Sequence, residues 1–78
     1  MEITYRSSIK YLTDYSVTRY EEYKKNIKAN IVEEYPNAIV EVIDSDTLEP
    51  ELNVTYGDQN PSMTVYDHVH AIINKTEY

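Results

Sequence analysis

Hydrophobic and polar positions along the chain change period several times, and each change marks an element. Glu2 to Arg6 alternates, with Ile3 and Tyr5 on one side and Glu2, Thr4 and Arg6 on the other, the period of a half-buried strand. Ile9 and Tyr11 resume the alternation beyond Ser7-Ser8. A two-residue hairpin needs residues that accept positive φ, and Ser-Ser supplies neither Gly nor Asn. One irregular strand from Glu2 to Thr13 is therefore expected.

From Thr18 the period becomes helical. Thr18-Arg19-Tyr20-Glu21 matches a capping box, and Tyr20, Tyr23, Ile27, Ile31 and Tyr35 recur on one stripe. Glu21, Glu22, Lys24, Lys25 and Lys28 fall largely outside that stripe. Pro36 ends the helix at or just before Tyr35. Ala38 to Ile43 is β-branched and apolar on nearly both faces, the pattern of a central strand. Leu52, Val54 and Tyr56 alternate with Glu51, Asn53 and Thr55. With the acidic loop Asp44 to Pro50 between them, these two strands read as an antiparallel hairpin.

Asn60-Pro61 resembles an N-cap with proline at the first helical turn. A second helix is expected from about Pro61 to Lys75, with Tyr66, Val69 and Ile73 on its apolar face. The order β-α-β-β-α predicts a single α+β domain over residues 1–78. The expected architecture is a small two-layer sandwich, an antiparallel sheet of three or four strands with two helices on one face.

Charge adds what the hydrophobic pattern leaves out. From Ala29 to Asn74 there is no lysine or arginine, yet there are nine carboxylates: Glu33, Glu34, Glu41, Asp44, Asp46, Glu49, Glu51, Asp58 and Asp67. The first 28 residues carry a net +2. A whole-chain charge of −7 argues against direct binding to nucleic acid or an anionic membrane, both of which need positive charge facing them. Nine tyrosines stand with neither Phe nor Trp. Such rings suit a thin core whose edges are wet, or a protein interface.

The absence of cysteine excludes disulfides and thiolate metal sites and fits a reducing compartment. No apolar run reaches the length of a membrane span, and MEITYRSSIK has no hydrophobic signal region, so a cytoplasmic protein is expected.

Catalytic patterns are missing. One glycine cannot build a phosphate-cradling loop, and no serine sits in a Gly-x-Ser-x-Gly elbow. Asp44 to Glu49 lacks the glycine and the twelve-residue ligand order of a calcium loop. His68 and His70, two apart on a helix, point about 200° apart and cannot share a metal. Spacing instead permits a hydrogen-bonded set of His70 with Tyr66 and Asp67. No cofactor, metal or enzymatic activity is expected.

What remains is a surface. Carboxylates on strand positions and a loop rim reproduce part of the spacing of phosphates along duplex DNA. A cysteine-free, acidic, tyrosine-rich α+β chain of 78 residues resembles the small phage-encoded inhibitors of bacterial defence, the anti-CRISPR and anti-restriction proteins. That resemblance implies a stoichiometric inhibitor in the cytoplasm of a bacterial host. Its partner would be a basic nucleic-acid-binding protein such as a CRISPR effector or restriction enzyme. The residues expected to meet that partner are Glu33, Glu34, Glu41, Asp44, Asp46, Glu49, Glu51, Tyr56 and Asp58, with Tyr35 adding packing area. The alternative is a non-enzymatic homodimeric scaffold joined through the tyrosine-bearing face of the first helix or a strand edge.

Overall fold

In a computed structural model that describes residues 1–8, 16–46, 49–56 and 63–78, the strand Glu2–Ser8 (β1) lies at the centre of the sheet. The helix Val17–Glu34 (α1) returns the chain so that Ile39–Ser45 (β2) runs parallel to β1. Glu51–Thr55 (β3) then pairs antiparallel on the other side of β1, and Met63–Lys75 forms the second helix (α2). The fold is therefore α+β, with a three-stranded mixed sheet in the order β2-β1-β3.

Register explains how the layers form. Ile3 stands between Val40 and Val54, and Tyr5 between Val42 and Leu52, so these six share one face. Ile27 and Ile31 of α1 and Val69 and Ile73 of α2 join Ile3, Val40, Leu52 and Val54 in one buried cluster. Both helices thus cover the same side. The opposite face carries Thr4, Arg6, Glu41, Glu51, Asn53 and Thr55, with no helix over it among the described residues.

Several expectations change. β2 and β3 are not a hairpin, because β1 lies between them, and the sheet is mixed, not wholly antiparallel. Crossing β1 spans two strand spacings, about 10 Å, and the five residues between Ser45 and Glu51 reach about 17 Å. The connection is long enough for either arrangement. β1 gains the central place because Ile3, flanked by apolar side chains on both sides, is buried to 1% exposure. The Ala38–Ile43 segment, expected at the centre, is an edge strand beginning at Ile39, whose side chain is exposed. It extends through Asp44 and Ser45, which the loop was expected to hold.

Ser7 and Ser8 do not interrupt β1 but end it, both buried. The expected continuation through Ile9 to Thr13 lies outside the described residues, as does the Asn60-Pro61 cap. The cap of α1 is Ser16, whose hydroxyl accepts from the Arg19 N–H at 3.5 Å; Thr18 lies inside the helix. Glu21, freed from the expected capping box, meets Lys24 at 3.1 Å.

At the α1 N-terminal end the tyrosines make a second packing centre. The Tyr20 hydroxyl donates to the Ser7 carbonyl at 3.5 Å. Tyr23 packs edge-on against Tyr78, with ring centroids 5.6 Å apart. Arg19 lies over the Tyr78 ring and donates to its carbonyl at 2.9 Å.

Burial, followed by the neighbouring Tyr23 and Tyr20 hydroxyls, pushes the Tyr5 pKa up to about 12, and burial raises Tyr20 and Tyr23 as well. Unfolded tyrosine ionises near 10. Between about pH 10 and 12 the unfolded chain therefore binds fewer protons than the native one. This contribution to stability is complete below pH 10 and is lost as pH rises toward 12. Urea midpoints measured across that window should fall less steeply for Tyr5→Phe than for the native chain. Parallel curves would show that Tyr5 is not held protonated.

Candidate protein-interaction site

The end of α1 shapes an open groove. Pro36 stops the helix, the Tyr35 N–H still donates to the Ile31 carbonyl, and the Ala38 N–H turns back to the Tyr35 carbonyl at 2.9 Å. The Ile39 N–H then donates to the Met1 carbonyl at 2.8 Å and ties this turn to the start of β1. The resulting groove, about 500 Å³, is lined by Met1, Tyr35, Pro36, Tyr56 and Val65, with Glu34 on its rim.

Tyr35 is held from behind. Its hydroxyl and His68 Nδ1 are hydrogen-bonded at 2.8 Å, and the two rings meet edge to face at 5.6 Å. Tyr56, at 60% exposure, presents its ring to solvent. Glu33 and Glu34 are exposed in the last turn of α1, which has no basic residue. There they add to the negative end of the helix dipole. Lys75 shares an adjacent groove with both carboxylates.

The other expected site residues lie elsewhere. Asp44 meets Lys24 Nζ at 3.1 Å, and Glu51 meets Arg6 at 3.7 Å, so bases from the first 28 residues already face both. Asp46 and Glu49 are exposed beyond the far end of β2. Strand rise over the length of β2 puts them roughly 20 Å from the Glu33 and Glu34 end. Glu41 sits midway on the edge strand, and Asp58 lies outside the described residues. Glu34, Tyr35 and Tyr56 come together with Glu33 alongside, while Asp44, Asp46, Glu49 and Glu51 gather at the opposite end of the sheet.

Lys24 is the residue whose role sequence reasoning missed. Its ammonium bonds Asp44 and Glu21 and lies 5.0 Å from the centre of the Tyr20 ring. Burial acts to lower its pKa, but the hydrogen bonds and charges of Asp44 and Glu21 outweigh this and raise it. The available signal was the spacing of Lys24, four residues after Tyr20 on a helix and so within reach of its ring. Asp44→Asn should cost about 0.5 to 1.5 kcal/mol in urea unfolding, a loss of stability with no loss of partner binding.

His68 was also missed, since only His70 had a spacing argument. His70 itself stacks on Tyr66 at 6.2 Å and bonds the Asn74 amide at 3.0 Å, in place of Asp67. Among the described residues, no three His, Asp or Glu side chains are placed to hold a metal ion, and no helix is long and apolar enough to cross a membrane.

Fold and site define a small α+β domain with an aromatic groove that has the Glu34 carboxylate on its rim. No protein-family model, curated protein or solved structure matches the chain.

Proposed function

We propose that the protein is a stoichiometric inhibitor that occupies the basic residues of a nucleic-acid-binding defence protein, such as a CRISPR effector or a restriction enzyme, in a bacterial cytoplasm. The observation that carries this reading is the meeting of Tyr35 and Tyr56 with Glu34 in one groove, with Glu33 alongside. A guanidinium is planar, stacks on a tyrosine ring and accepts a carboxylate partner through parallel N–H bonds. The groove offers both at once. The arginines and lysines that hold phosphates are the groups such a surface engages, and engaging them displaces the nucleic acid.

The net charge of −7 supports the same reading by steering the approach to a basic cleft. Asp46 and Glu49 extend the negative potential at the far end of the sheet, where a large cleft would reach them. The alternative scaffold reading loses its helix face, because Tyr20 is buried and Tyr23 packs against Tyr78.

The immobilised protein should capture nucleic-acid-binding proteins from a bacterial lysate at low ionic strength. Raised salt and added duplex DNA or RNA should each release them. Capture indifferent to both salt and nucleic acid would overturn the proposal.

A further inference from the structure

Away from that groove, the outer side of β2 around Val40 to Val42 lies beside an overhanging flank of α1. Among the described residues β2 pairs only with β1, in unbroken register over all seven positions. It contains no proline and no lysine, and its two charges are Glu41 on the open face and Asp44, which Lys24 holds. Above it, Glu21, Lys24, Lys25 and Lys28 of α1 and Val40, Glu41 and Val42 of β2 enclose a groove of about 290 Å³. Lys24 is committed to Asp44 and Glu21. Lys25 and Lys28 are exposed and meet no carboxylate within ion-pair distance among the described residues.

We infer that the β2 edge takes an extended acidic segment of a partner protein as a fourth strand, with alternate carboxylates on Lys25 and Lys28. The backbone of such a segment completes the hydrogen-bonding row of β2, and its side chains alternate between the two faces of the extended sheet. Those on the helix side continue the row of Val40 and Val42 and come under α1. Successive side chains on one face are about 6.6 Å apart. Lys25 and Lys28, three residues apart on a helix, are separated by about 5 to 6 Å. The two spacings match closely enough for each lysine to meet its own carboxylate. On the open face the segment's other side chains lie beside Ile39, Glu41 and Ile43, which favours β-branched apolar residues next to the two isoleucines.

Charge decides the occupant. A second copy paired through its own β2 edge would set two lysine-bearing flanks against each other, with Glu21 and Glu41 as the carboxylates of that groove. An acidic segment meets the same flank with opposite charge. The inference does not depend on the Tyr35 and Tyr56 groove, which lies at the end of the sheet where β1 and β2 begin.

The probe is a short capped peptide alternating glutamate and valine, compared with a lysine and valine version and with a version carrying a central proline. Backbone amide exchange followed by NMR reads the site. The glutamate peptide should slow exchange at outward-facing amides of β2, and its binding should weaken as salt rises. The Lys25→Glu, Lys28→Glu double variant should bind it at least about 10-fold more weakly. Both positions are exposed, and dispersed amide spectra check that the variant is folded.

Equal binding by the lysine or the proline peptide would overturn the inference, as would unchanged β2 exchange in the native protein. Concentration-dependent protection of β2 in the protein alone would identify a second copy as occupant and overturn it too.

Discussion

Tyr20→Ala is expected to cost about 3 to 5 kcal/mol, most of the stability available to a domain of this size. The ring is buried to 1% exposure, yet it stands outside the main aliphatic cluster, at the end where β1 stops and α1 begins. It fills the space beside Ser7 and lies under the Lys24 ammonium. Alanine leaves that space empty and removes the surface on which Lys24 rests, so the Asp44 contact loosens with it. Tyr20→Phe separates the ring from the hydroxyl. It should lose about 0.5 to 1.5 kcal/mol, the worth of one hydrogen bond to the Ser7 carbonyl. Urea unfolding of the three proteins measures both steps. If phenylalanine were as costly as alanine, the hydroxyl and not the packed ring would be the source of stability.

The second large effect concerns binding. Tyr56→Ala should weaken capture of the partner by about 10-fold or more, as expected for an exposed aromatic anchor. Glu34→Lys should do so by about 10- to 100-fold, because it sets a cation against the partner's cations. The two losses differ in kind. The Glu34 effect should shrink as salt rises, since it is carried by charge at a solvent-exposed rim. The Tyr56 effect should persist, since it is carried by buried area and ring stacking. Neither side chain is buried, so urea midpoints should stay close to those of the native chain. Should both variants bind normally while Asp46→Asn with Glu49→Gln abolishes capture, the contact lies at the opposite end of the sheet.

The carboxylate pattern shows where reading along the chain stops being sufficient. The absence of bases from 29 to 74 is a property of the sequence, but whether it makes a surface depends on what the first 28 residues do. Lys24 reaches Asp44 and Arg6 reaches Glu51 only because β1 and α1 lie against β2 and β3. No spacing rule connects residues 20 or 45 positions apart. The Tyr35 and Tyr56 groove is similar, with walls from the start of β1, the turn after α1, the end of β3 and α2.

Local physics determined the elements. Two-residue alternation at Ile3 and Tyr5 and again at Leu52 and Val54, helical recurrence at Tyr20, Ile27 and Ile31, and the stop at Pro36 are each settled within a few residues by backbone geometry and burial. The class of fold followed from their order. Pairing was decided only in three dimensions, because a strand's neighbours are chosen by what buries most apolar surface. Ile3 is buried most completely with Val40 on one side and Val54 on the other. That choice moved β1 to the centre, left β2 at an edge beside the lysines of α1, and parted the carboxylates of β2 and β3 by the width of a strand, with Lys24 and Arg6 beside them.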